Sequence, residues 1–270
     1  MQAGLSEDFG AGEPADRIAA GRYRTCVCTS AHGLAVFGEA LDTPGLGNHI
    51  KAVACGAFHL CVLLEEGSLQ CYGSNSCQQC EVPADLREVV MVAAGDQHTC
   101  AVTSIGDLVC FGEDHVGQCR VPPDLGPIGA VSAGTFHTCA MTVDRRLACF
   151  GSSRFGQCEP PEQFAHQGSV IAVAAGGKHT CVIESGSRHL VCFGDDTYGQ
   201  CSVPDNLGPV LMIAAGLRHT CAITDSHELV CFGDDFFGQC SVPEDVGIVA
   251  AVQAGAYHTC AVRLDGCSMA

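Results

Sequence analysis

Ala94-Gly95-Asp96-Gln97-His98-Thr99-Cys100-Ala101-Val102-Thr103 is the stretch that decides the fold, because the chain keeps returning to it. His-Thr-Cys begins at His98, His137, His179, His219 and His258, roughly every 40 residues. Two degenerate copies, Arg24-Thr25-Cys26 and His59-Leu60-Cys61, come first. Each copy follows a small-residue step ending in Gly21, Gly56, Gly95, Gly134, Gly176, Gly216 or Gly255. A period of this size belongs to units that cannot bury their own apolar face and must stack on neighbours, as in propellers and solenoids.

Outward from that stretch, one unit reads as three short strands. Val89 to Ala94 is a β-branched, small-residue run entering a turn at Gly95, and His98 to Thr103 is a second strand. Ser104-Ile105-Gly106 turns the chain into a third, Asp107 to Gly112. Phe-Gly recurs at Phe37, Phe150, Phe193 and Phe232, with Tyr72 as a variant; Gly-Gln-Cys recurs at Gly117, Gly156, Gly199 and Gly238. Val-Pro recurs at Val82, Val121, Val203 and Val242, where a residue without an N–H suits a strand end or connector. No helical period interrupts the pattern. The expected fold is all-β: a seven-bladed β-propeller with short antiparallel blades of three to four strands.

The repeat units start near 18, 52, 90, 130, 171, 211 and 250, so residues 1–270 read as a single propeller domain. The last unit stops at Gly266-Cys267-Ser268-Met269-Ala270 without its Phe-Gly strand, whereas Leu5 to Gly10, followed by Glu13-Pro14, reads as a shortened half-unit. The expectation is that 1–14 is a closing segment and that the N- and C-terminal segments join in one blade near Leu5–Gly10 and Val262–Gly266. Such a joint would remove two free sheet edges.

Composition excludes several functions. Formal charge is −17 and no Lys/Arg cluster offsets it, which opposes nucleic-acid backbones and anionic membrane surfaces. No apolar run reaches the ~18–20 residues of a membrane span, and Met1 to Phe9 has neither the basic nor the apolar region of a signal peptide. The chain reads as cytoplasmic, with the nucleus as the alternative.

Twenty-one cysteines need an account. Cys61/Cys71, Cys100/Cys110, Cys139/Cys149, Cys181/Cys192 and Cys221/Cys231 face each other as candidate cross-strand disulfides. The expectation from the cytoplasmic reading is that most cysteines are instead reduced, buried small hydrophobes. A zinc site would need four ligands repeated in several packed blades, so no metal is expected. Acidic pairs such as Asp195-Asp196 and Asp234-Asp235 lack the ligand spacing of a calcium loop and read as turn carboxylates. General-base chemistry needs one positioned His with an orienting partner, so a His in every unit reads as structural, fixing its turn through neighbouring backbone. No nucleophile elbow, phosphate loop or zinc-protease motif occurs, and neither catalytic residues nor cofactors are expected.

The string Ala-Gly-x-x-His-Thr-Cys-Ala-Val, continued by Leu-Val-Cys-Phe-Gly-x-Asp-x-x-Gly-Gln, resembles the repeat of the regulator of chromosome condensation family over roughly residues 5 to 270. That resemblance implies a seven-bladed propeller, in a compact variant similar to a secreted bacterial β-lactamase inhibitor of this fold. Phe stands where the family carries Trp, Asp114, Asp196 and Asp235 where it carries Asn, and Cys where it carries Leu. A plant UV-B receptor in the family senses light through tryptophans. The matching segment here is Gly216-Leu217-Arg218-His219-Thr220, and the chain has no Trp, so that photochemistry is unavailable.

The informative variable positions are the two residues between Gly and His: Arg22-Tyr23, Ala57-Phe58, Asp96-Gln97, Thr135-Phe136, Gly177-Lys178, Leu217-Arg218 and Ala256-Tyr257. In a closed propeller these loops meet on one face, and a constant frame carrying varied loops suits recognition. Tyr23, Phe58, Phe136, Arg218 and Tyr257 are the partner-binding candidates, with packing between blades as the competing role for the rings. The expected function is a non-catalytic protein–protein interaction module, as a monomer or in a larger assembly, with a protein partner and neither nucleic acid nor membrane. Guanine-nucleotide exchange on a small GTPase, the activity of the family's founder, and enzyme inhibition are the alternatives.

Overall fold

Short β-branched runs between tight turns leave the backbone no partner but the adjacent run, so each unit folds into its own antiparallel sheet. The computed structural model describes residues 17–29, 33–43, 46, 49–164 and 168–264. Its inner strands are Arg17–Ala20, Ile50–Cys55, Val89–Ala94, Ile128–Ala133, Val170–Ala175, Val210–Ala215 and Val249–Ala254. The middle strands are Arg24–Thr29, His59–Leu64, His98–Thr103, His137–Thr142, His179–Glu184, His219–Thr224 and Thr259–Arg263. Outer strands are Gly33–Gly38, Leu69–Gly73, Leu108–Gly112, Leu147–Gly151, Leu190–Gly194 and Leu229–Gly233. These make seven sheets, six of three strands and a seventh of two among the described residues. Consecutive inner strands touch, and the last touches the first, closing a seven-bladed propeller. The expected closing segment at Leu5–Gly10, and Gly266 opposite it, lie outside the described residues.

Burial follows position in the blade. The middle strand His98–Thr103 is buried at every residue because both of its faces meet neighbouring blades, and so its sequence does not alternate. Outer strands are half-buried. The core is a series of clusters between blades: Ala93, Cys100, Val102, Leu125, Ile128 and Val131, for example, join two consecutive sheets. One 3-10 turn, Glu162–Phe164, adds a completely buried Phe164 to the next such cluster.

The repeated polar residues hold blade to blade. Nε2 of His59, His98, His137, His179 and His219 lies 2.9–3.0 Å from Oγ1 of Thr99, Thr138, Thr180, Thr220 and Thr259, each in the following blade. Each of these hydroxyls donates to the main-chain carbonyl of Gln79, Gln118, Gln157, Gln200 or Gln239 at 2.7–2.8 Å. A hydroxyl has one proton, so Oγ1 must accept from the imidazole, which assigns the proton to Nε2. The Gln side chain secures its own loop, as where Phe237 N–H donates to Gln239 Oε1 at 2.9 Å. Between His258 and Thr25, 2.9 Å apart, the same bond seals the last blade to the first. The expectation that the histidines fix their turns through neighbouring backbone is thereby corrected: their Nε2 bonds cross blade boundaries. One junction departs. Arg24 and Leu60 replace His and Thr together, and Arg24 turns to Glu39 at 3.0 Å.

Thr138→Val keeps the shape but removes the hydroxyl, leaving His98 N–H and the Gln118 carbonyl buried without partners. The expected loss is about 2–4 kcal/mol, read from the urea midpoint. Thr138→Ser should recover most of it; a Val variant as stable as the parent would show the clamp to be idle.

The register places the five cysteine pairs directly opposite each other. Cys139–Cys149 and Cys181–Cys192 are disulfides, which corrects the expectation of reduced thiols at these pairs. Sγ atoms lie 2.6 Å apart in Cys61/Cys71 and 2.9 Å apart in Cys100/Cys110 and Cys221/Cys231. Peptide mapping of protein digested without reductant is expected to recover Cys139–Cys149 and Cys181–Cys192 linked. Four free thiols at these positions, in protein purified under oxidising conditions, would contradict it.

Candidate functional site

The loops divide their two variable residues between two surfaces, with Arg22 reaching from the first to the second. The first residues, Arg22, Ala57, Asp96, Thr135, Gly177, Leu217 and Ala256, line the mouth of the central channel with the ring of glycines. The loops are tied side to side there by N–H groups of Asp96, Thr135, Gly177, Leu217 and Ala256, which donate to the glycine carbonyl of the next blade at 3.0–3.3 Å. Second residues point outward: Tyr23, Phe58 and Phe136 are 48%, 40% and 37% exposed. Arg218 is exposed as well, and Tyr257 half-buried.

Three of the five sequence candidates come together and two do not. Tyr23 lies 6.4 Å from Phe58 and 6.1 Å from Tyr257, ring centre to ring centre, where the last blade meets the first two. The Arg22 guanidinium sits 5.5–6.0 Å from all three rings, within cation–π range. Its Nε and Nη2 donate to the Tyr23 and Tyr257 hydroxyls at 3.2 and 3.4 Å, and Asp96 stands 3.8 Å from Nη1. Burial raises the Asp96 carboxyl above its ordinary range despite that guanidinium. Phe136 and Arg218 occupy separate sectors of the face, Arg218 lying 4.5 Å over the Tyr198 ring.

Sequence reasoning missed a second tier. The residue two before the buried loop Gln in one blade meets the second loop residue of the next: Cys77 Sγ donates to Gln97 at 3.0 Å, Phe155 carries Lys178 at 4.5 Å, Tyr198 carries Arg218, and Phe237 meets Tyr257 at 5.2 Å. Phe236 extends that line with its ring 4.9 Å from Phe237. The signal was in the sequence, as the recurring aromatic in Arg154-Phe155-Gly156, Thr197-Tyr198-Gly199 and Phe236-Phe237-Gly238. Among the described residues, no three His, Cys, Asp or Glu side chains converge as a metal ion would need.

A ring of seven small antiparallel sheets, clamped by His, Thr and Gln and presenting variable loops on one face, defines a seven-bladed β-propeller. The chain matches the regulator of chromosome condensation (RCC1) repeat over residues 50–79, 89–118, 130–157, 170–200 and 213–239, more than half its length, and it belongs to that family. A comparison with curated proteins gave no match. Among solved structures it is similar to the ectodomain of the Physcomitrella patens receptor kinase CR4, at 21% identity and TM-score 0.78 over 94% of this chain and 72% of that one. The ectodomain of the Arabidopsis thaliana receptor kinase ACR4 is similar at 23% identity and TM-score 0.74, over 95% of each chain. Prp20p of Saccharomyces cerevisiae is similar at 18% identity and TM-score 0.69, over 81% of this chain and 70% of that one. At these identities the likeness shows the fold.

Proposed function

We propose that residues 1–270 form one non-catalytic propeller domain that binds a protein partner on its Gly-x-x-His loop face, through Tyr23, Phe58, Phe136, Arg218 and Tyr257. The observation that carries this reading is the division of labour within the repeat. His, Thr, Gln and Gly, which recur from blade to blade except at the junction of Arg24 and Leu60, are consumed in inter-blade contacts, whereas the varied second loop residues are mostly aromatic or basic and exposed on one face. Large exposed rings on a rigid frame suit binding hot spots, since little entropy is lost on docking. Prp20p, of similar fold, is described by its binding to Gsp1p and histones, and yeast RCC1 (Prp20) by its complex with Kap60. That makes a protein partner the nearest expectation for this face.

The test begins with partners captured on the immobilised chain and identified by mass spectrometry. Phe136→Ala with Tyr257→Ala should then lower partner affinity by about 2 kcal/mol or more if the rings are hot spots, at a nearly unchanged melting temperature. Intact affinity with a lowered melting temperature would assign both rings to packing and sink the reading.

A further inference from the structure

Two consecutive blades carry almost the same loop: Asp195-Asp196-Thr197-Tyr198-Gly199-Gln200-Cys201-Ser202-Val203-Pro204 and Asp234-Asp235-Phe236-Phe237-Gly238-Gln239-Cys240-Ser241-Val242-Pro243. Both are held alike. Asp196 and Asp235 each accept the N–H of the following Cys at 2.7 Å and the following Ser hydroxyl at 2.8 Å, and Gln200 and Gln239 accept the N–H of Tyr198 and Phe237 at 2.9 Å. They differ in what the next blade lays against the aromatic ring. Tyr198 is covered by the Arg218 guanidinium at 4.5 Å, and one blade earlier Phe155 is covered by the Lys178 ammonium, also at 4.5 Å. At the junction from Phe237, the equivalent residue is Tyr257, which brings a ring edge and no charge. Phe237 is left 63% exposed, and Phe236, where the blade before has Thr197, 84% exposed.

Resting on the reading of the loop face as a protein-binding surface, we propose that the Phe236–Phe237 corner takes an arginine or lysine side chain from a basic segment of the partner, supplying in trans the cation that Lys178 and Arg218 supply in cis. The repeat is its own precedent, since two equivalent junctions already hold a cation on this aromatic position. Charge agrees: Asp234 and Asp235 immediately precede the two rings in the same loop, Asp234 accepting the Phe236 N–H at 3.1 Å, hydrogen bonds from Cys240 N–H and Ser241 lower the Asp235 carboxyl below its ordinary range, and the whole chain carries −17. An aromatic face attracts a cation through its quadrupole, and an adjacent carboxylate adds an ion pair. From this corner the rings continue without a break through Tyr257 and Tyr23 to Phe58, so apolar neighbours of the basic residue would find a platform.

The probe is the peptide (Gly-Arg)4, capped at both ends, titrated into the full chain by calorimetry beside (Gly-Gln)4 and (Gly-Leu)4. Saturable binding of the arginine peptide is expected, with the glutamine peptide at least tenfold weaker. Phe236→Leu with Phe237→Leu, which keeps apolar bulk but removes the quadrupole, should weaken it tenfold or more. Asp235→Asn should weaken it several-fold, and the difference should shrink in salt. Tyr257→Lys supplies the cation in cis and should abolish binding in a protein that melts like the parent.

Absence of saturable binding to the folded chain, equal binding of (Gly-Gln)4 or (Gly-Leu)4, or indifference to the Leu pair would each overturn the proposal. So would self-association that disappears with the Leu pair, which would make a second copy the occupant. A captured partner that needs Phe136 and Tyr257 yet ignores Phe236 and Phe237 would leave the protein-binding reading standing and sink only this one.

Discussion

Gly134→Ala is expected to destabilise the closed ring strongly, although it adds a single methyl group. A Cβ at Gly134 would overlap the Gly176 carbonyl oxygen of the next blade and the His137 ring of its own. Neither can yield cheaply. The Gly176 oxygen accepts from Thr135 N–H at 3.3 Å, and His137 is fixed by Thr180 at 2.9 Å. Relief would require widening the ring at a point where every blade has the same tight step. The expected penalty is about 3 kcal/mol or more, at the upper end of overpacking in a close-packed interior. Gly129→Ala in the same blade is the control: its Cβ would meet nothing nearer than 3.4 Å. Thermal melts of the two variants should differ by many degrees. A Gly134→Ala protein that melts with the Gly129→Ala control would show that the inner ring is looser than these contacts imply.

The second large effect is acid unfolding driven by buried imidazoles. Burial, followed by the neighbouring histidines, lowers His137 to about 3, and burial with His219 lowers His179 to about 4, from an ordinary 6.5. The chemistry of the clamp explains why. Thr takes the Nε2 proton, so a second proton would have to sit on Nδ1, which is buried without a partner in both residues. Between about pH 6.5 and the folded values, the unfolded chain binds more protons than the folded one, so stability rises with pH. The contribution is complete above about 6.5 and is lost as pH falls through the folded values of the two groups. At 1.36 kcal/mol per pKa unit, these shifts amount to about 5 and about 3 kcal/mol, comparable to the whole stability of many domains. Unfolding midpoints in urea should therefore fall steadily from about pH 6.5 toward pH 4. His137→Gln keeps an N–H donor toward Thr180 but cannot titrate, so it should flatten that slope while lowering stability at neutral pH. An unchanged slope in the Gln variant would remove His137 as the cause.

The amino-acid sequence determined how many units there are, the strand order within each, and the all-β class. These follow from the repeat period, the short β-branched runs and the turn residues between them. The residues that vary on one loop were also legible, because a constant frame makes variation visible. What His98 bonds to was not, for its partner Thr138 lies 40 residues away in another sheet, and linear spacing carries no information about the rotation between sheets. Nor could the sequence separate Thr135, buried at the channel mouth, from Phe136 beside it on the outer face, since a two-residue loop has no period to read. Nor does the sequence show that Phe237 stands against Tyr257 of the next blade, a contact between two sheets. Tyr23 and Tyr257, at opposite ends of the chain, share one aromatic surface only because the ring closes. Periodicity encodes what each unit does with its own backbone; the packing of one blade on the next decides which side chains meet, and only the tertiary structure holds that second kind of information.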